Sequence, residues 1–297
     1  MPRIKANGIE IEYREIGNRD DPMLLLVSGF STQMISWPES YLEGLAAAGR
    51  RVVIFDNRDI GLSTEFTNEI PPAPGDIIKG LSEGKDMSTE VPYLIDDMAA
   101  DAAALITALG ADKADVMGNS MGGMIVQLIA LNHPDKVRTL IPVMTTSGAP
   151  DLPRATQEAQ KALTAQPEMR TADAVAEISV QSRRVIGSAD GVRNSDEETA
   201  QSARDSFNRS DRPMGVARQY AAILAQPRWH DRLSEVKVPT LVLHGDDDQV
   251  VPYKNAGVLQ AELLPNATLK IYEDYSHGML TVNADVLNAD ILAFIQS

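Results

Sequence analysis

The stretch Gly118-Asn119-Ser120-Met121-Gly122 places a serine between two glycines, at the junction of an apolar run and an amphipathic one. Residues 113–117 before it have the pattern of a short strand, and residues 121–131 after it have the pattern of a helix. A sharp strand-to-helix turn holds such a serine in a strained backbone conformation and exposes its Oγ at the helix N-terminus. Backbone N–H groups there favour developing negative charge. The stretch therefore predicts a nucleophilic serine at position 120.

A nucleophilic serine needs a general base, and the chain offers four histidines. His277 is the best placed, because it lies in a loop that follows the strand-like residues 267–273, late in the chain. Of the other three, His133 is expected at a helix end, His230 in a polar segment and His244 at a strand end. We therefore expect His277 to act as the base.

An acidic residue must hold the base in the useful tautomer. The strand-like residues 239–244 run directly into Asp246, Asp247 and Asp248. A solvated acidic turn would account for at least two of the three, and spacing alone does not separate Asp248 from Asp247. A metal site is a weak competitor, because one histidine and three adjacent acids lack the separated ligand pairs of zinc sites. We expect the orienting acid in this turn and no metal.

Acyl transfer also needs two donors for the oxyanion. One is the backbone N–H of Met121, directly after the serine. The other is expected in the loop after the apolar residues 22–27, where Gly29 allows the backbone N–H of Phe30 to face the site. The predicted oxyanion hole therefore consists of the N–H groups of Phe30 and Met121.

The chain resembles the α/β-hydrolase superfamily over essentially its whole length, and within it the aclacinomycin methylesterase-like serine esterases. Three stretches carry the resemblance: Ser36-Trp37-Pro38, residues 55–64 (FDNRDIGLST), and residues 118–122 continuing through 127–131. The resemblance implies an α/β fold with a mostly parallel central sheet flanked by helices. It also implies a helical cap inserted after the sixth strand, and a triad in which Asp248 is the acid, with Ser120 and His277.

Two positions depart from the common pattern of the superfamily. The usual His-Gly of the oxyanion loop is Ser28-Gly29 in this chain, which leaves open how that loop is braced. The residue after Arg58 is Asp59, where many relatives carry glycine. The second departure is shared with the methylesterase-like group and supports the narrower resemblance.

Composition excludes several classes of protein. A chain of 297 residues that is 43% hydrophobic can bury one large core and a smaller layer. The absence of cysteine excludes disulfides and thiol catalysis. A net charge of −15 argues against a nucleic-acid partner. Because the N-terminal residues lack an apolar signal core and no apolar run reaches membrane length, we expect a cytoplasmic protein without a membrane partner.

A central block, residues 149–234, carries one lysine and eleven arginines against twelve acids and lacks strand-like alternation. We expect it to be the helical cap, with residues 1–148 and 235–297 forming the α/β-hydrolase core domain. A second, irregular stretch at residues 68–89 is either a flap beside the site or a surface loop. The helices expected in the block are residues 154–165, 171–186, 196–208 and 214–224. The helices expected in the core are residues 92–109, 253–263 and 284–295.

These observations predict a serine hydrolase that cleaves a small-molecule carboxylic ester through an acyl-enzyme and requires no metal or organic cofactor. A lactonase, a C–C bond hydrolase or a cofactor-free perhydrolase with the same triad remain alternatives. A non-catalytic ligand receptor on a hydrolase scaffold and a purely structural protein are more remote. The acyl and alcohol groups and the oligomeric state are left open.

Overall fold

The computed structural model describes residues 1–150, 155–189, 193–281 and 284–296. Its centre is an eight-stranded sheet in the order β1-β2-β4-β3-β5-β6-β7-β8. Strand β2 pairs antiparallel with both β1 and β4, and all other neighbouring strands pair in parallel. The strands are β1 Arg3–Ala6, β2 Ile9–Ile16, β3 Met23–Val27, β4 Arg51–Phe55, β5 Ala114–Asn119, β6 Val137–Val143, β7 Thr240–Gly245 and β8 Ala267–Tyr272.

The central strands are buried on both faces, which explains their nearly continuous apolar sequences. In β3, Leu24 and Leu26 pack into one hydrophobic cluster, whereas Met23, Leu25 and Val27 pack into the other. This split follows from the two-residue period of a strand, in which successive side chains point to opposite faces. The sheet therefore separates two apolar layers.

Helices cover the two faces of this sheet. The helices α1 and α10 contribute to one cluster, and α3 and α4 contribute to the other. No helix in the described part of the chain is long and apolar enough to cross a membrane. The helices are α1 Glu39–Ala47, α2 Pro74–Ser82, α3 Ile95–Ala108, α4 Met121–Asn132, α5 Gln157–Thr164, α6 Ala172–Ile186, α7 Asp196–Arg209, α8 Pro213–Ala225, α9 Gly257–Leu263 and α10 Ala284–Ile295.

The structure corrects several predicted elements. The stretch 68–89 is not irregular throughout, because it contains α2, whose Ile77 packs with Ala221 and Ala225 of α8. The helix predicted over 253–263 is a short 3₁₀ turn followed by α9. The strands β1 and β2 were not predicted. These elements owe their conformation to packing and strand pairing with distant residues, which local sequence patterns describe poorly.

The described part of the block between β6 and β7 contains four α-helices, α5 to α8. Hydroxyl side chains begin three of them: the Oγ1 of Thr156 and Thr171 and the Oγ of Ser195 accept the N–H group three residues later. Such caps satisfy donors that a helix leaves unpaired. The predicted starts and ends agree with the observed helices within a few residues, except that position 154 lies outside the described residues.

A buried ion pair attaches α8 to the core. The guanidinium of Arg218 donates two hydrogen bonds, of 2.8 and 2.9 Å, to the carboxylate of Asp59, and both side chains are buried. Asp59 adopts a left-handed backbone conformation with φ of 70°, which glycine accepts readily. This explains why glycine is common at this position, and the pairing with Arg218 gives the aspartate of this chain a structural role.

Replacing Arg218 with alanine is expected to lower the free energy of unfolding by about 3–5 kcal/mol, because the carboxylate of Asp59 would remain buried without a counter-ion. Urea titration measures this loss. The double variant Asp59→Asn/Arg218→Met should recover part of it, since neither charge is left unpaired. As a control, Arg14→Ala removes the solvent-accessible pair with Glu39 and should cost at most about 1 kcal/mol. Equal losses for Arg218→Ala and Arg14→Ala would contradict the assignment.

Candidate active site

Ser120 lies in the turn between the end of β5 and the start of α4. Its φ of 54° and ψ of −120° are unusual for a residue with a side chain. Four hydrogen bonds hold this conformation. The N–H of Ser120 donates to Val143 O at 3.0 Å, and its carbonyl accepts from the N–H groups of Gly123 and Met124 and, at 2.7 Å, from Thr145 Oγ1. The strained conformation is therefore held by neighbouring backbone groups and by the side chain of Thr145.

The glycines around Ser120 are required by the close approach of neighbouring chain segments. A Cβ at Gly118 would lie 2.1 Å from the carbonyl oxygen of Gly122. A Cβ at Gly122 would lie 2.1 Å from the carbonyl oxygen of Val27, at the end of β3. Moving these oxygens would disturb α4 at Gly122 and β3 at Val27. The Gly-x-Ser-x-Gly pattern thus packs the first turn of α4 against β5 and β3.

Ser120, His277 and Asp248 form a continuous hydrogen-bonded chain. The Oγ of Ser120 is 2.9 Å from Nε2 of His277, and Nδ1 of His277 is 2.8 Å from Oδ2 of Asp248. Because an ionised carboxylate can only accept, Nδ1 carries a proton and donates a hydrogen bond to Asp248. Nε2 is then unprotonated and accepts from the hydroxyl of Ser120. This arrangement can take a proton from Oγ as the oxygen attacks a carbonyl.

The carboxylate of Asp248 is buried and held in its ionised form. Its Oδ1 accepts the N–H groups of Val250 and Val251 at 2.9 and 2.8 Å. Burial by itself raises the pKa of Asp248, but electrostatic attraction to His277 and hydrogen bonds from His244 and His277 outweigh burial, so the pKa lies well below its ordinary value. The ionised carboxylate can therefore stabilise a positive charge on His277.

Burial and contacts distinguish Asp248 from the other candidates. Asp246 and Asp247 are exposed in the turn after β7, whereas Asp248 is buried. His133 ends α4, and His230 lies in a 3₁₀ turn with its Nε2 3.1 Å from the carboxylate of Asp231. Of the acids and histidines considered, the structure brings Asp248 and His277 together with Ser120.

His244 contacts Asp248, which the sequence did not predict. It was expected at a strand end, and it lies fully buried near the end of β7. Its Nε2 donates to Val251 O at 2.8 Å and lies 3.4 Å from Oδ2 of Asp248. The same carboxylate therefore faces two imidazoles. The i, i+4 spacing of His244 and Asp248 was visible, but only the turn between them brings the two side chains into contact.

Side chains from the core brace the loop after β3. The indole Nε1 of Trp37 donates to Ser28 Oγ at 2.9 Å, and Nδ2 of Asn57 donates to Ser28 O at 3.0 Å. Ser28 thus provides the contacts left open by the missing histidine. Gly29 follows, and a Cβ there would lie 3.1 Å from the side chain of Asn119.

Helix α8 also braces this loop. Gln219 accepts from the N–H of Ser31 at 3.1 Å and donates to Arg58 O at 3.1 Å. Within the described residues, the N–H groups of Phe30 and Met121 donate no hydrogen bond to another backbone or side-chain atom. Both predicted oxyanion donors are therefore available to a ligand. Gln219 holds Ser31, the residue that follows Phe30.

A cavity of about 440 Å³ opens above Ser120 and His277. Phe30 and Ile60 from the core line it, and helices α5, α6 and α7 supply much of the remaining wall. Its volume suits a small organic ligand. The described residues contain no group of three or more histidine, aspartate or glutamate side chains placed to bind a metal ion.

Comparison with known proteins assigns the family. The family model described as an alpha/beta hydrolase fold matches residues 22–284. The chain belongs to the α/β-hydrolase family. Over its whole length this α/β-hydrolase is 31% identical to the non-heme chloroperoxidase of Burkholderia pyrrocinia, with all of both chains covered. It is 29% identical to a bifunctional esterase/perhydrolase of Acinetobacter calcoaceticus, with 98% of each chain covered.

The predicted resemblance to the methylesterases of the superfamily is also confirmed. Rhodomycin D methylesterase DauP of Streptomyces sp. (strain C5) is 34% identical over 125 residues, which cover 42% of this α/β-hydrolase and 35% of that protein. The fold is similar to that of a thermophilic esterase from Thermogutta terrifontis, with a TM-score of 0.73, 23% identity, and coverage of 100% and 98% of the two chains. The predicted fold class is therefore confirmed.

Replacing Gly122 with alanine is expected to destabilise the protein by roughly 1–3 kcal/mol or more, because the added Cβ collides with Val27 O. The free energy of unfolding in urea measures the effect. Gly75→Ala is the matched control: Gly75 lies in α2 with no atom within 4 Å of an added Cβ, so alanine there should be neutral or slightly stabilising. A Gly122→Ala variant as stable as Gly75→Ala would show that the close approach is unimportant.

Proposed function

We propose that this α/β-hydrolase is a serine hydrolase that cleaves a carboxylic ester through an acyl-enzyme. The observation that carries the proposal is the hydrogen-bonded chain from Asp248 through His277 to Ser120, which ends at the cavity. A nucleophile, a base and an orienting acid in contact are the parts that acyl transfer requires. The cavity gives an ester of moderate size access to Oγ.

In the first half of the reaction, Nε2 of His277 removes the proton of Ser120 while Oγ attacks the ester carbonyl. The N–H groups of Phe30 and Met121 stabilise the oxyanion, since neither has another partner among the described residues. Asp248 stabilises the imidazolium of His277. His277 then donates its proton to the leaving alcohol, and an acyl-enzyme remains on Ser120.

In the second half, water replaces the alcohol. His277 removes a proton from the water, whose oxygen attacks the acyl carbonyl. Collapse of the second tetrahedral intermediate breaks the bond to Ser120 Oγ, which takes back a proton from His277. The acid product leaves, and the triad returns to its starting protonation.

A second candidate function replaces that water with hydrogen peroxide. The observation that favours it is that the relatives that match the chain over almost all of its length include a chloroperoxidase and an esterase/perhydrolase. Attack of hydrogen peroxide on the acyl-enzyme would release a peroxy acid by the same proton transfers. Both candidates depend on Ser120, and they differ in the nucleophile of the second half.

We also propose that the block of residues 149–234 acts as a cap that selects the ester, with residues 1–148 and 235–297 as the catalytic core domain. The support is that α5, α6 and α7 line the cavity, whereas Ser120, Asp248 and His277 come from outside the block. Ile178 of α6 is one of the lining residues. Contacts of this kind influence substrate choice without entering the chemistry.

Ser120→Ala should lower kcat for the best ester by roughly 10⁴- to 10⁶-fold, because it removes the attacking oxygen. Initial rates on a panel of esters graded in acyl length measure the loss, and fluorophosphonate labelling of the wild-type serine checks the nucleophile. Parallel reactions with hydrogen peroxide detect peroxy acid formation. An undiminished rate in Ser120→Ala would overturn both candidate functions.

The acid assignment predicts a difference among three adjacent aspartates. Asp248→Asn should reduce kcat by about 10⁴-fold, because the imidazole would adopt the wrong tautomer. Asp246→Asn and Asp247→Asn are the matched controls, since both side chains are exposed, and they should keep nearly full activity. Comparable losses at all three positions, or the largest loss at Asp247, would disprove the role of Asp248.

The cap proposal predicts that Ile178→Ala shifts the preferred acyl length upward, because it enlarges the cavity wall. Relative kcat/KM between neighbouring acyl lengths should change by about 10-fold or more, while fluorophosphonate labelling of Ser120 stays at the wild-type rate. Glu177→Ala, at the adjacent exposed position, is the control and should leave the profile unchanged. If Ile178→Ala also leaves it unchanged, selectivity must come from another part of the cavity.

A further inference from the structure

The cavity carries a charge opposite to that of the whole protein. Among the described residues that line it, three are arginines and one is an acid: Arg170, Arg183, Arg212 and Asp211. The chain as a whole has a formal charge of −15. A cationic cavity in an acidic protein indicates a ligand that carries negative charge.

Two of these arginines already have carboxylate partners. The guanidinium of Arg170 pairs with Asp211 across the cavity wall. Nε of Arg212 lies 3.4 Å from Oε2 of Glu65, and its Nη1 donates to Ser63 O at 2.6 Å. Their charges are largely neutralised within the protein.

Arg183, on α6, differs from both. Among the residues that the structure describes, no carboxylate lies within 4 Å of its guanidinium, and the guanidinium donates no hydrogen bond; only the carbonyl oxygen of Arg183 is engaged, by Gly187 and Arg193. Arginine has five N–H donors in a fixed fork. Within the described residues, this cavity-lining fork is therefore unoccupied.

Two glycines leave room for this side chain beside the catalytic histidine. A Cβ at Gly187 would lie 2.6 Å from Cδ of Arg183, and a Cβ at Gly278 would lie 2.8 Å from its Nη1. Gly278 directly follows His277. The guanidinium is thus packed next to the residue that adjoins the proposed base, and it faces the same cavity as Ser120.

The electrostatic environment of Arg183 is unfavourable in the absence of an anion. Burial lowers its pKa, and the positive charge of Arg193 lowers it further. A desolvated cation without a counter-ion costs free energy, which a bound anion would offset. A carboxylate matches the two parallel donors of one guanidinium, and its single negative charge balances the single positive charge of Arg183.

We propose that Arg183 binds a free carboxylate of the substrate, so that the preferred esters are half-esters of dicarboxylic acids. The proposal rests on the proposed ester hydrolysis and names its substrate class. The carboxylate of the substrate accepts two hydrogen bonds from Arg183 while its ester carbonyl lies at Ser120. The free carboxylate takes no part in bond making or breaking.

The test compares monomethyl succinate, glutarate and adipate with the corresponding methyl ester amides, which have the same shape and no charge. For at least one chain length, wild-type kcat/KM should favour the carboxylate by roughly 10- to 100-fold, because hydrogen bonds to charged groups contribute strongly. In Arg183→Gln this preference should disappear through a higher KM for the carboxylate, and Arg183→Lys should retain part of it. If the wild type prefers the carboxylate at no chain length, the proposal is overturned.

Arg184→Gln is the matched control, since it removes the same charge one position further along α6, where the side chain is exposed and pairs with Asp196. It should keep both the wild-type preference and the wild-type rate of fluorophosphonate labelling. An unchanged preference in Arg183→Gln would show that Arg183 does not bind the carboxylate. An equal loss in Arg184→Gln would show that general charge and not a specific contact is responsible. Either result would overturn the proposal.

A binding measurement separates this proposal from the proposed function. Calorimetric titration of Ser120→Ala with glutarate or adipate needs no turnover, and binding should weaken about 10-fold or more when Arg183→Gln is added. If neither the half-esters nor the ester amides are hydrolysed but this binding depends on Arg183, the proposed carboxylate site is supported and the proposed ester hydrolysis is wrong. If esters are hydrolysed and neither binding nor preference depends on Arg183, ester hydrolysis stands and the carboxylate site fails.

Discussion

The left-handed backbone of Ser120 is the constraint on which the rest of the site depends. Such a conformation costs of the order of 1–3 kcal/mol for a residue with a side chain, and it persists only when its surroundings require it. Here the surroundings are two backbone segments that approach so closely that Gly118 and Gly122 admit no Cβ. The same approach places Oγ within reach of His277 and leaves the first N–H of α4 without a partner among the described residues.

The block between β6 and β7 is tied to the loops after β3 and β4, beside the candidate site. Within α8, Arg218 reaches the buried carboxylate of Asp59, and the next residue, Gln219, holds the N–H of Ser31 beside the predicted oxyanion donor. One helix turn therefore serves both stability and the geometry of the loop after β3. Helices α5 to α7 supply much of the cavity wall. Changes in those three helices can alter the cavity without removing the contacts of α8.

Family membership fixes the scaffold, and the chemistry of the side chains around the cavity gives each member its own activity. The relatives of this chain include a chloroperoxidase, an esterase/perhydrolase and a methylesterase, so one arrangement of core strands accompanies several reactions. In this chain the distinctive features are local: Ser28 in place of the usual histidine, Asp59 in place of glycine, and an arginine without an acidic partner among the described residues of the cavity wall. All three lie within or beside the site.

The sequence alone determined the features that depend on neighbours in the chain. The apolar runs predicted the central strands, and the glycine spacing predicted the turn at Ser120, because strand burial and a tight turn impose short-range patterns. Tertiary structure decided the features that join distant residues. Only folding buries Asp248 while leaving Asp247 exposed, brings His244 to the same carboxylate, pairs Asp59 with Arg218, and packs α2 against α8. These contacts depend on the geometry of the whole sheet and its connections, which no local pattern encodes.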